Sequence, residues 1–188
     1  MNYCSLNPCD IANGLGVRVS LFVTGCDKHC KGCFNPETWN PSFGKPFTKD
    51  TLTELLVMLD KPFIKGLSLL GGDPFFPENR KEISIICRTV KDKFDTKDIW
   101  MYTGYLYEDI IKYDLEQTNL FDCYIDRKRA CTATSYEILK YVDVLVDGPF
   151  IEELKDVSLK FVGSSNQRVI DISKSIDSNK IVLYDFKK

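Results

Sequence analysis

Val17-Arg-Val-Ser-Leu-Phe-Val-Thr24 runs directly into Gly25-Cys26-Asp-Lys-His-Cys30-Lys-Gly-Cys33, and the reading of this stretch decides the fold. Residues 17–24 are almost all β-branched or apolar, as expected of a strand buried on both faces. A glycine ends the run, and a polar loop with closely spaced cysteines follows. The same grammar recurs downstream. Residues 66–70 form a short apolar run ending in Gly71-Gly72-Asp73-Pro74, residues 98–102 end at Thr103-Gly104, and residues 142–146 run into Asp147-Gly148-Pro149. Helical stretches separate these strands. Residues 48–60 carry Leu52, Leu55, Leu56 and Leu59 on one helical face, with Thr51 and Glu54 as a capping box and Pro62 as the stop. Residues 78–94 place Ile83, Ile86, Cys87, Val90 and Phe94 on one face, and residues 105–114 begin another helix. Short strands are expected at 159–162 and 181–184. Between them, 166–176 reads as a helix with Val169, Ile172 and Ile176 at helical spacing. Strand–helix alternation implies right-handed crossovers and a largely parallel α/β sheet of about six strands. Ligands in such folds bind at the C-terminal strand ends, where the cysteines, Gly-Gly-Asp-Pro and Asp-Gly-Pro all fall.

The chain has 188 residues, so one domain is expected over 1–188. Residues 115–135 show little periodicity, carry Cys123, Cys131, Arg127, Lys128 and Arg129, and read as an insertion. Hydrophobic residues make up 44% and charged residues 28%, which excludes wholesale disorder. Lys plus Arg number 25 against 27 for Asp plus Glu, a net charge of −2, which argues against a nucleic-acid partner. No apolar run approaches the ~20 residues needed to span a bilayer. Residues 1–10 carry no secretory signal. The expectation is a cytoplasmic protein with no membrane partner.

There are 8 cysteines in the chain, and a reducing compartment disfavours a disulfide framework. Cys26, Cys30 and Cys33 are spaced C-x3-C-x2-C. Thiolates this close can ligate three corners of a cubane iron–sulfur cluster and leave one iron open to an exchangeable ligand. Structural zinc is the rival, with His29 as a fourth ligand. Zinc sites usually draw on two separated knuckles, however, and no second knuckle accompanies this loop. Cys87 fits the apolar face of its helix, and Cys4, Cys9, Cys123 and Cys131 are scattered.

A cysteine loop after one strand and Gly71-Gly72-Asp73 after the next resemble the radical S-adenosylmethionine superfamily. The likeness extends along the chain. It takes in Asp10-Ile-Ala-Asn13-Gly14-Leu-Gly16-Val-Arg18 before the cluster strand and Cys33-Phe34-Asn35-Pro36-Glu-Thr-Trp39 after it. Further on it includes Trp100-Met-Tyr-Thr103-Gly104-Tyr105, Asp147-Gly148-Pro149-Phe150 and Gly163-Ser-Ser-Asn166-Gln167-Arg168. This set resembles the activating proteins of anaerobic (class III) ribonucleoside-triphosphate reductases. Activases of the pyruvate formate-lyase type usually have an aromatic before the last cysteine and a histidine after it, where Gly32 and Phe34 stand here. The superfamily's usual Gly-Gly-Glu is Gly-Gly-Asp here.

The resemblance implies a partial (β/α) barrel and a 4Fe-4S cluster on Cys26, Cys30 and Cys33. It implies S-adenosylmethionine contacts from Gly71, Gly72, Asp73, Phe34, Asn35 and Asp147. No catalytic side chain is implied beyond cluster and cofactor. The reduced cluster would cleave S-adenosylmethionine to a 5′-deoxyadenosyl radical, which takes hydrogen from a glycine of the reductase large subunit. A low-potential donor such as flavodoxin would supply the electron. The residues themselves leave readings open. Gly-Gly-Asp-Pro also suits a plain turn. Arg18 is either a solvated strand-end charge or the partner of a carboxylate or protein. The 163–166 segment either caps a helix or offers its N–H groups to an anion.

Overall fold

The computed structural model describes residues 1–115 and 133–187. The strand expected from the opening stretch is β2 (Val17–Val23), preceded by β1 (Asn2–Asp10). Then follow β3 (Lys45–Pro46), α1 (Lys49–Leu59), β4 (Ile64–Gly71), α2 (Arg80–Lys93), β5 (Asp98–Tyr102) and α3 (Tyr107–Leu115). The chain continues with α4 (Ala133–Leu139), β6 (Val144–Asp147), β7 (Arg168–Asp171) and α5 (Ile172–Ser178). All strands join one 7-stranded sheet in the order β3-β1-β2-β4-β5-β6-β7. The middle, β2-β4-β5-β6, is parallel, whereas β1, β3 and β7 add antiparallel edges. The observed architecture is therefore mixed α/β and parallel only in its middle.

Alternation along the strands divides the core. Leu67, Leu69, Ile99, Met101 and Leu145 face the helices and pack with Leu55, Leu59, Ile83, Ile86, Val90 and Ile110. Trp100, Val144, Val146 and Val169 face the other way, where Leu15, Phe161, Tyr184 and Phe186 cover them. Trp100 meets the Phe161 ring edge-on at 5.2 Å and the Tyr184 ring at 5.5 Å.

Several local expectations change. β1 has no counterpart in the sequence reading, because its residues are mostly half-buried or exposed and carry no alternating apolar pattern; it forms by pairing with β2. The capping box lies at the true start of α1. Thr51 N–H donates to Thr48 Oγ1 and Thr48 N–H to Thr51 Oγ1, each at 3.3 Å, in place of a Thr51–Glu54 pair. The helix expected over 166–176 begins at Ile172. Arg168–Asp171 is a strand instead, because its backbone completes an antiparallel ladder with β6. Asp171 caps α5, accepting from Lys174 N–H at 3.1 Å, so the 163–166 segment caps no helix and offers no helix terminus to an anion. Residues 159–162 form an irregular bend rather than a strand, and Phe161 and Val162 pack over the second core. Residues 181–184 make a single bridge, Ile170 to Leu183, along the outer edge of β7.

Arg18 is wholly buried. Its guanidinium pairs with Asp98 at 2.6 Å and donates to Ser68 Oγ at 2.7 Å and Leu67 C=O at 2.8 Å. It sits at the N-terminal strand ends, opposite the cysteine loop, so its role is structural rather than solvated or partner-binding. Most of the expected insertion at 115–135, with Cys123, Cys131 and the basic run 127–129, lies outside the described residues. Among the described residues no helix is long and apolar enough to cross a membrane.

Candidate functional site

The site is assembled from the loops that leave the C-terminal ends of β2, β4, β5 and β6. The cysteine loop departs β2 and is strapped on its return. Gly25 N–H donates to Thr38 C=O at 2.7 Å and Cys26 N–H to Trp39 C=O at 3.2 Å, both in the short 3-10 turn Pro36–Trp39. The loop after β4 docks against its start, with Gly72 N–H donating to Val23 C=O and Asp73 N–H to Gly25 C=O, each at 2.8 Å. Glycine is required at both positions of the pair. Gly71 has φ +106°, and a Cβ there would meet Val23 O at 2.6 Å; a Cβ on Gly72 would meet Gly25 O at 2.6 Å.

Cys26, Cys30, Cys33, Phe34, Asn35, Gly71 and Gly72 line one cleft, joined by Tyr102, Thr103, Gly104, Gly148 and Gln167. The fold thus gathers the cysteines and the glycine pair, distant in sequence, around one space. A hollow of about 510 Å³ between α2 and α5 has more room but no cysteine or strand-end glycine, so chemistry rather than size picks the cleft. Within the loop, Cys33 N–H donates to Cys30 C=O at 3.1 Å. The Lys31 ammonium reaches Glu152 at 3.0 Å and Glu153 at 3.5 Å, fastening the loop to the 3-10 turn Glu152–Leu154. Phe34 stands 80% exposed at the cleft mouth, with the Lys155 ammonium 5.6 Å from its ring.

Burial, followed by the charges of Asp73 and Asp27, pushes the Cys26 thiol up to about 12. Burial also raises Cys30. In the metal-free chain these are protonated thiols, and a metal would displace their protons. The donor set fits an iron–sulfur cubane. Among the described residues no three His, Cys, Asp or Glu side chains converge on one metal position. Cys26, Cys30 and Cys33 instead share one loop and one cleft, as thiolates that each take a separate iron of a cubane would. The His29 ring instead lies against Trp39, centroids 4.8 Å apart.

Asp73 and Asp147 stand behind the cleft wall rather than in its lining. Asp73, 1% exposed, accepts from Phe75 N–H at 2.8 Å, Thr103 Oγ1–H at 2.9 Å and Gly104 N–H at 3.0 Å. Burial pushes its carboxyl up to about 6, while these donors pull it down. It ties the loop after β4 to the loop after β5. Asp147 accepts from Arg168 and from Tyr107 N–H at 2.8 Å, fixing the end of β6 to the start of α3. Arg168 also holds Glu108 in a two-pronged pair at 2.8 and 2.7 Å.

Three residues support the site: Gln167 and Tyr105 stand in the stretches that carry the resemblance, which implies no role for them, and Asn79 stands outside those stretches. Asn79 donates to Thr24 C=O at 2.8 Å and Asp73 C=O at 2.9 Å, joining the two loops from beneath. Gln167 donates to Gly148 C=O at 2.9 Å and accepts from Gly163 N–H at 2.8 Å. Tyr105 bonds to the cysteine loop itself. Such long-range bonds leave no periodic trace.

Comparison with known proteins agrees with this geometry. A family model described as a 4Fe-4S single cluster domain matches residues 12–170, which makes this an iron–sulfur protein of the single-cluster class. The chain is 44% identical over 169 residues to the anaerobic ribonucleoside-triphosphate reductase-activating protein of enterobacteria phage T4, covering 90% of this chain and 93% of that one. The protein of the same name from Escherichia coli K12 is 39% identical over 171 residues, covering 90% and 97%. That from Vibrio cholerae serotype O1 is 38% identical over 169 residues, covering 89% and 96%. The chain belongs to the family of anaerobic ribonucleoside-triphosphate reductase-activating proteins.

Proposed function

We propose that this chain installs a glycyl radical on an anaerobic ribonucleoside-triphosphate reductase, using a 4Fe-4S cluster and S-adenosylmethionine. The observation that carries this reading is the meeting of Cys26, Cys30 and Cys33 with Gly71 and Gly72 around one cleft at the ends of parallel strands. When bound, the cluster and S-adenosylmethionine supply the electron and the radical that removes hydrogen from the partner's glycine.

The chain's own residues hold, orient and shield. Cys26, Cys30 and Cys33 would each take one iron of the cubane, and the loop holds no fourth cysteine, so one iron stays open to an exchangeable ligand. Gly71 and Gly72 present bare backbone to the cleft, beside the position the methionine end of the cofactor would take. Asp73 acts from behind, fixing Thr103 and Gly104 so that this wall is set before the ligand arrives. Phe34 and Asn35 border the cleft mouth, and Asp147 holds Gly148 at its far side by anchoring β6. The strands β2, β4, β5 and β6 would form a partial barrel of the radical S-adenosylmethionine type, in a single domain with an insertion at 115–135. Its open side would admit the reductase large subunit's glycine segment, and docking would exclude water from the radical. A low-potential donor such as flavodoxin would reduce the cluster in the cytoplasm.

The test is anaerobic reconstitution followed by spin resonance of the reduced protein. About four irons per chain are expected, with a signal that S-adenosylmethionine alters. A zinc-loaded protein without sulfide, or an iron-loaded one whose signal ignores S-adenosylmethionine, would reject the reading.

A further inference from the structure

Between Cys26 and Cys30 the loop carries Asp27 and Lys28, of opposite charge, and both lean on one side chain of the neighbouring loop. The Tyr105 hydroxyl donates to Asp27 Oδ2 at 2.9 Å. The Lys28 ammonium lies 3.5 Å from the centre of the same ring and 3.8 Å from Asp27 Oδ1, an ion pair that Asp27→Asn removes as well. Tyr105 is itself immobilised. It is 5% exposed, its N–H donates to Thr103 Oγ1 at 3.1 Å, and its C=O accepts from Gly148 N–H at 3.1 Å. Arg80, from α2, stands against the same hydroxyl and faces Asp27 and Asp73. Tyr105 is thus a fixed post, and the first half of the cysteine loop is fastened to it.

Packing alone does not call for the hydroxyl, since a phenylalanine ring would fill the space and still carry the ammonium. What the hydroxyl adds is a charge-assisted bond that holds the Asp27 carboxylate in place. That carboxylate belongs to the residue after Cys26, which lines the cleft. Adding an electron to a cluster adds negative charge, and a fixed carboxylate nearby opposes it, lowering the reduction potential. A cluster that must give its electron to a sulfonium needs such a potential.

We propose that Tyr105 is a positioning residue that fixes Asp27 beside the cluster and thereby keeps the cluster's reduction potential low. This rests on the cluster assignment above and adds to it a residue that neither binds iron nor lines the cleft.

The test is potentiometric titration of the reconstituted full chain, followed by spin resonance, for wild type, Asp27→Asn, Tyr105→Phe and the double variant. All should hold iron at the wild-type level. Asp27→Asn should shift the midpoint upward, and Tyr105→Phe should shift it in the same direction by less. The double variant should lie no higher than Asp27→Asn alone, because Tyr105 acts through Asp27. An unchanged midpoint in Asp27→Asn overturns the proposal whatever Tyr105→Phe does. So does a Tyr105→Phe shift that adds in full to that of Asp27→Asn, or loss of iron in Tyr105→Phe while Asp27→Asn loads normally. A wild-type chain that takes up no iron overturns the cluster assignment itself, whereas unchanged midpoints in iron-loaded variants overturn this inference alone.

Discussion

Replacing Gly72 with alanine places a methyl group 2.6 Å from Gly25 O and 3.0 Å from both Gly25 N and Thr38 O. All of these are backbone atoms, so no rotamer change relieves the clash. Either the loop after β4 or the start of the cysteine loop must move. Movement strains the 2.8 Å bonds from Gly72 N–H to Val23 C=O and from Asp73 N–H to Gly25 C=O. Overpacking of this kind costs about 1–3 kcal/mol, and weakening one of the two bonds adds about 1 kcal/mol. At roughly 2–4 °C per kcal/mol for a chain of this size, the midpoint of the metal-free protein should fall by about 4–16 °C. Gly163→Ala is the matched control. Its new methyl meets Phe150 ring carbons at 3.0 and 3.3 Å, and that ring can turn aside, so stability should stay within about 0.5 kcal/mol of wild type. Thermal unfolding followed by circular dichroism, with iron analysis after reconstitution, reads both. The reasoning predicts that Gly72→Ala loses stability and cluster content together. If it melts with the control and fills with iron, the tight docking of the two loops is not what positions the cysteines.

Other expectations follow from the same geometry. Single Cys26→Ala, Cys30→Ala and Cys33→Ala changes should each remove most iron, while Cys4→Ala and Cys87→Ala keep it; equal dependence on Cys4 or Cys87, by iron analysis, would contradict the ligand set. Arg18→Met leaves the half-buried Asp98 without its cation and Ser68 Oγ without its donor, and should lower stability by about 1–3 kcal/mol in denaturant titrations; an unchanged midpoint would show that this pairing does not support the strand ends. Arg168 holds the Glu108 carboxyl below its ordinary range. The stability this gives is present above pH ~4.3 and lost as acid protonates the group. Glu108→Gln should therefore flatten the acid limb of the stability–pH curve, and an unchanged limb would place that proton uptake elsewhere.

The parallel centre of the fold was legible because its strands are buried on both faces and therefore write short, mostly apolar runs, such as Leu21–Val23 and Ile99–Tyr102. The edges were not. β1 is exposed and irregular, and Arg168–Asp171 is a strand only because β6 offers it a ladder; its own pattern of Val169 and Ile172 fits a helix as well. The cysteines and the glycine pair announced themselves because their chemistry demands those residue types. Asp73 and Asp147 were visible as residues, yet sequence spacing could not tell a side chain in the cleft from one that braces its wall. Arg18 shows the same limit, since only the fold reveals that Asp98, eighty residues away, neutralises it.

The central claim is that the reacting hydrogen belongs to a glycine of a partner reductase. Its most direct test mixes the reconstituted protein anaerobically with S-adenosylmethionine, a low-potential reductant and a cognate class III reductase, and follows the spin-resonance spectrum of that reductase. The account predicts a glycyl-radical doublet that grows in step with ribonucleotide reduction and is absent with the Cys26, Cys30 and Cys33 variants. An iron-loaded, folded protein that cleaves S-adenosylmethionine but radicalises only a different glycyl-radical enzyme, or none, would contradict it.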